Sequence, residues 1–156
     1  MINFVPITYQ PPSLHRCNGC QLPTPQRNYC IFDKQEVDYF VSQKENALPY
    51  LKNVLETSQN EGQITEVLYI LNRMLDEKTP NIDKLYPTLA KYNNTNSANI
   101  QTFLAGIYRK TQIPDAFGPL IKMLIQNSIR QNPQPLAFDP NEEIGGAILS
   151  YINNKK

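Results

Sequence analysis

Glu45-Asn46-Ala47-Leu48-Pro49-Tyr50-Leu51 returns, with conservative changes, as Asp83-Lys84-Leu85-Tyr86-Pro87-Thr88-Leu89 and again as Asp115-Ala116-Phe117-Gly118-Pro119-Leu120-Ile121. Each copy places an acid, then an apolar residue, then proline, then another apolar residue at alternate positions. The prolines stand 38 and then 32 residues apart, and at the second offset Lys78-Thr79 also returns as Lys110-Thr111. An acid or amide near a helix start can accept hydrogen bonds from the free N–H groups there. Proline in the first turn costs little, because the donor it lacks has no intrahelical acceptor. Each copy is therefore expected to open a helix.

A polar break and a second apolar-periodic segment follow every copy. Gln59-Asn60-Glu61-Gly62 precedes the stripe Ile64, Val67, Leu68, Leu71, Met74 and Leu75, and residues 93–97 precede Ile100, Phe103, Leu104, Ile107 and Tyr108. Three- and four-residue spacing of this kind marks an amphipathic helix. Residues 132–135 precede a last helix opened by Asp139 as cap and Pro140 as first residue, running through Ile144, Ile148, Leu149 and Ile152. The unit is helix, turn, helix. Gly145-Gly146 weakens that last helix and is expected to allow close packing against a neighbour.

One further helix, at about residues 33–44, comes before the three units; Asp33 is its expected cap, with Glu36 three places on. The segment containing Phe117, Leu120, Ile121, Met123, Leu124, Ile125 and Ile129 is apolar around most of its circumference, so it is expected to be the most enclosed helix.

Three proline-marked hairpins over roughly residues 33–153 resemble the HEAT and armadillo class of helical repeats, in which the first helix often carries proline beside apolar residues. The resemblance implies an all-α fold, a short right-handed α-α superhelix of about three hairpins, and an extended surface for a protein partner. Two departures stand beside it: the units are shorter than the roughly 40–47 residues common in that class, and no regular aspartate followed by arginine lies between the helices. An irregular all-α bundle with coincidental prolines is the alternative.

Residues 1–32 differ from the body at 33–156. They hold all three cysteines, the single histidine and five of the 13 prolines. Proline fixes φ and removes a donor, so this segment reads as an extended arm. His15, Cys17, Cys20 and Cys30 supply up to four ligands for one structural zinc, and Gly19 suits the turn between the first two thiolates. A second Cys-x-x-Cys pair is missing and His15 lies close to Cys17, so ordinary thiols and a transient Cys17–Cys20 redox pair are the competing readings.

The 156 residues carry 15 Lys and Arg against 14 Asp and Glu, a formal charge of +1, so no overall field draws the chain to nucleic acid or an anionic membrane. Lys84, Lys91, Arg109, Lys110 and Lys122 are the candidates for a basic stripe, with acids close by. Nine tyrosines offer either packing or partner contact. The carboxylate pairs Asp76-Glu77 and Glu142-Glu143 fall at helix ends, where dipole compensation accounts for them. No phosphate loop, His-Glu-x-x-His or Gly-x-Ser-x-Gly motif is present. With no secretory signal and an odd number of cysteines, the expected setting is the cytoplasm, which leaves the Asn93-Asn94-Thr95 acceptor unused. The expected function is a non-enzymatic protein-interaction or scaffold module without membrane contact, and the alternative is a small zinc-stabilised adaptor that touches nucleic acid.

Overall fold

Asp33 caps the first helix: its Oδ1 accepts from the backbone N–H of Gln35 at 3.0 Å and of Glu36 at 3.4 Å. From that point the computed structural model describes residues 32–129 and 139–154. Seven α-helices occupy them: α1 Lys34–Ser42, α2 Leu48–Thr57, α3 Glu61–Asp76, α4 Tyr86–Leu89, α5 Ala98–Thr111, α6 Phe117–Ile129 and α7 Pro140–Asn154. No strand occurs among the described residues, so the all-α expectation holds.

The odd-numbered helices pack in chain order: α1 on α3, α3 on α5, and α5 on α7. Their starts share one chemistry. Asp33, Asn60, Ser97 and Asp139 each accept, through a side-chain oxygen, a backbone N–H two or three residues on. The helices α2 and α6 lie against α3 and α7, and α2 also touches α4. Successive helical pairs thus lie side by side.

The three quoted copies share a local structure. The 3-10 turns Lys44–Ala47, Ile82–Leu85 and Pro114–Ala116 each run directly into α2, α4 and α6. The burial register shows one correction to the alignment by proline. Pro49 and Pro87 are second in their helices, whereas Pro119 is third. The wholly buried positions are therefore Leu51, Leu89 and Leu120, each at 0% exposure, and Ile121 falls one step outside. The matching Lys-Thr pairs are not equivalent either: Lys78 sits in the turn after α3 with φ of 66°, while Lys110 and Thr111 are inside α5.

Polar contacts join consecutive hairpins. The Tyr92 hydroxyl donates to the Leu55 carbonyl, and Lys91 Nζ reaches the carbonyls of Leu55 and Glu56 at 3.2 Å each. One unit further, Tyr86 donates to the Asp115 carbonyl at 3.0 Å and Tyr151 to the Ile113 carbonyl at 2.5 Å. Asn127 and the buried Gln101 exchange amide hydrogen bonds at 2.9 and 3.3 Å, and Asn127 also donates to Asn141 at 2.8 Å, linking α5, α6 and α7. Buried amides satisfied in this way fix which helices meet.

The core centres on α3 and α5, where Leu68, Ile70, Leu71, Met74, Leu104, Ile107 and Tyr108 are fully buried. Each such aliphatic side chain contributes roughly 1.5–3 kcal/mol through burial. The helix expected to be most enclosed, α6, is not. Leu120 and Met123 are its buried residues, while Ile125 and Ile129 are 53% and 74% exposed. Its neighbours cover one side only, and apolar content on the other side does not bring burial. The glycine expectation shifts similarly. A Cβ added at Gly145 or Gly146 would meet nothing within 4 Å, and the close approach occurs at Gly106 on α5 instead.

Candidate interaction surface

Glu143, Ser150 and Tyr151 fix how α7 sits on α5. Glu143 Oε2 accepts from Arg109 Nε at 2.9 Å, Ser150 Oγ accepts from Gln112 Nε2 at 2.8 Å, and Tyr151 is 4% exposed. Towards α6, the Tyr151 ring lies 5.4 Å from that of Phe117, and Asn141 meets Asn127. The side of α7 that remains carries Leu149 and Ile152, three residues apart, at 60% and 48% exposure.

On α6, Ile121, Ile125 and Ile129 recur every fourth residue and so share one stripe. Their exposure rises along the helix, from 36% to 53% to 74%. By helical phase this stripe lies nearly opposite Leu120 and Met123. Five branched aliphatic side chains are thus in water on the last hairpin, and no other large hydrophobic residue described is as exposed.

The row of helices shows what this surface corresponds to. On the side of α5 facing back to α3, the Phe103 carbonyl accepts from Asn72 at 2.9 Å, and Lys110 pairs with Asp76 at 3.0 Å. Forty residues on, Glu143 and Ser150 face α5 from α7 in the same way (143 − 103 and 150 − 110 are both 40). The forward contacts are Arg109 on α5 and Gln112 in the cap just after it, and the same offset of 40 carries them to Leu149 and Ile152. These two residues therefore occupy the positions at which the preceding helix receives its successor.

The other candidate residues resolve differently. His15, Cys17, Cys20 and Cys30 lie outside the described residues, and among those described no group of three or more His, Cys, Asp or Glu is placed to hold a metal. The prospective basic stripe is largely consumed by structure: Lys91 binds carbonyls, Arg109 binds Glu143 and Lys110 binds Asp76. Asp76 and Glu143 are consumed with them. No described helix is long and apolar enough to cross a membrane.

Tyr108 is fully buried and donates to Asn93 at 2.6 Å, so its ring packs and its hydroxyl is satisfied. Burial, followed by the nearby Tyr86 and Tyr151, pushes its ionisation far above the ordinary tyrosine range. Tyr151 is pushed up to about 12, again chiefly by burial. Both tyrosines are neutral packing residues at physiological pH. The Asn93 side chain that Tyr108 occupies is also the one a glycan would need.

Spacing alone divides the apolar residues of α6 into two sets without saying which set is covered. A helical wheel separates Leu120 and Met123 from Ile121, Ile125 and Ile129, but a count of apolar residues merges the two sets. No protein-family model matches the chain, and no curated protein or solved structure matches it.

Proposed function

We propose that this protein is a non-enzymatic interaction module of the cytoplasm, built from HEAT-like hairpins stacked into a short right-handed superhelix. Its protein partner docks on the exposed aliphatic residues of α6 and α7. The observation that carries this reading is the exposure of Ile121, Ile125, Ile129, Leu149 and Ile152 together on the last hairpin. Exposed aliphatic residues gathered on one hairpin mark a surface that is covered in use. The repeated packing of α1, α3, α5 and α7 supports the solenoid reading, as do the three shared turn-helix entries. Nucleic acid is the weaker partner, because three of the five candidate cations are already engaged within the fold.

The test compares the wild-type chain with an Ile125→Glu/Leu149→Glu variant in capture from the native host. Both substituted residues are exposed, so folding should survive and the thermal midpoint should hold. Loss of the same specific partner from the variant supports the reading, and equal recovery by both proteins moves the binding surface elsewhere.

A further inference from the structure

We propose that the chain's own N-terminal segment docks on the junction of α1, α2 and α3, with the Arg27 guanidinium against the carboxylates of Glu36 and Glu66. The occupant is residues 22–31, and the surface is separate from the exposed aliphatic residues of α6 and α7. Charge, aromatic lining and chain position each point to this segment.

The junction takes negative charge inward. Glu66 on α3, at 0% exposure, is the one buried acid among the described residues. It and Glu36 on α1 both bear on the Tyr50 hydroxyl from α2: burial first, then these two carboxylates, push that group up to about 12. The ion pairs among described residues stand elsewhere, at Asp38, Glu56, Asp76 and Glu143, on carboxylates 30% to 57% exposed. Carboxylates drawn inside a fold favour a cation that brings its own hydrogen-bond donors. Residues 1–31 hold Arg16 and Arg27 and no acid, whereas all 14 acids of the chain follow Phe32. The segment and the junction are therefore complementary in charge.

The lining suits arginine in particular. Tyr50 stacks on Phe40 with centroids 5.6 Å apart and planes 9° from parallel, and Tyr39 meets the edge of the same Phe40 ring at 5.3 Å. A guanidinium is planar, weakly hydrated and able to lie on aromatic faces while its N–H groups fork onto carboxylates.

Chain position selects Arg27. The described chain begins at Phe32, whose ring stands 5.1 Å from that of Tyr69, itself 5.7 Å from Phe103. Glu66 lies one turn before Tyr69 on α3, and Glu36 follows Phe32 by four residues, so the segment enters the fold beside both carboxylates. Arg27 precedes Phe32 by five residues, a span of at most about 18 Å to which the long side chain adds its own reach. Arg16 would have to close a much longer loop, at greater entropic cost.

Limited trypsin digestion of the full chain tests the proposal, because Arg16 and Arg27 are the two tryptic sites in residues 1–31. Cleavage follows the population in which a site is open. Cleavage after Arg27 is expected to be slower than after Arg16 by about tenfold or more. Glu66→Gln, with helical circular dichroism retained, should speed cleavage after Arg27 and leave Arg16 unchanged, and Glu36→Gln should act in the same direction. Equal rates at the two sites in the unsubstituted chain overturn the proposal and leave the junction to another occupant. Protection of Arg16 in place of Arg27 overturns it, as does protection of Arg27 that survives both substitutions. Nuclear Overhauser contacts between the Arg27 side chain and the Tyr50 ring read the same docking without any substitution. They are expected in the unsubstituted chain, and their absence overturns the proposal even if the glutamine variants fail to fold.

Discussion

Asn72 on α3 occupies the space that a side chain at Gly106 on α5 would need: a Cβ there would stand 2.6 Å from Oδ1 of Asn72. The amide cannot move aside freely. Its Nδ2 donates to the Leu68 carbonyl at 3.0 Å and across the interface to the Phe103 carbonyl at 2.9 Å. Gly106→Ala gains at most about 1 kcal/mol of helix propensity. Against that gain it displaces a buried, doubly bonded amide at a cost of about 1–3 kcal/mol. The substitution is expected to destabilise, and Asn72→Ala alone should do likewise by removing the interhelical bond to the Phe103 carbonyl. The double variant should be less destabilised than the sum of the two, because the clash is gone. Additive losses in chemical denaturation would show that the two residues are independent.

Core and stripe substitutions should separate sharply. Leu71→Ala and Leu104→Ala remove fully buried side chains at the α3–α5 contact and are expected to cost about 2–5 kcal/mol each. Ile129→Ala, at 74% exposure, should change the monomer's stability by about 0.5 kcal/mol or less. Leu124, only partly buried on α6, should fall between them. Comparable losses at Leu104 and Ile129 in urea titrations would mean that α6 is more deeply embedded than its exposure states.

The helices themselves were legible from the spacing of apolar residues. Ile64 to Leu75 and Ile100 to Tyr108 became α3 and α5, and the caps at Asp33 and Asp139 were readable because each precedes a periodic run. What spacing could not supply was which side of a helix finds a neighbour. The isoleucines of α6 are as apolar as the leucines of α3, and only the packing partners distinguish them. The one-residue shift at Pro119 escaped for a related reason. Proline is tolerated throughout the first turn, so it marks a helix start without fixing the register. The Asn72–Gly106 contact joins positions 34 residues apart and has no local signature.

Among the described residues, four other than glycine adopt positive φ: Lys44 at 54°, Lys78 at 66°, Asn81 at 73° and Gln112 at 56°. The left-handed region costs an ordinary side chain roughly 1–2 kcal/mol, partly offset by the greater chain entropy that glycine loses on folding. Lys78→Gly and Lys44→Gly are therefore expected to raise stability by about 0.5–1 kcal/mol. Gln112→Gly should not, because its side chain holds both the Arg109 carbonyl and Ser150 Oγ at 2.8 Å. Asn81→Gly should be close to neutral, since asparagine accepts this conformation and its bond to Glu45 is exposed. Thermal midpoints of the four single variants test the ranking, and a gain at Gln112 equal to that at Lys78 would contradict it.

Alkaline pH should unfold the protein through its buried and half-buried tyrosines. Burial, with Glu36 and Glu66 adding to it, pushes Tyr50 up to about 12. Burial, with Tyr86 adding, does the same for Tyr151, and Tyr108 is pushed higher still. In the unfolded chain a tyrosine ionises near about 10. Above that pH the unfolded state sheds these protons while the folded state keeps them. The folded state then binds more protons, and stability falls as pH rises. For Tyr50 and Tyr151 the loss runs from the unfolded value up to about 12, and for Tyr108 it continues beyond. Below the unfolded value the three groups are neutral in both states and add no slope. Tyr108→Phe separates the two roles of that residue. Losing the hydroxyl bond to Asn93 should cost about 0.5–1.5 kcal/mol at neutral pH, yet the alkaline decline should become shallower because one proton-linked group is gone. Tyrosinate absorbance and helical circular dichroism, followed together against pH, should show part of the tyrosine signal appearing only as the helices melt. Titration of all nine tyrosines in the ordinary range, with helix content retained, would mean that none is held neutral by the fold.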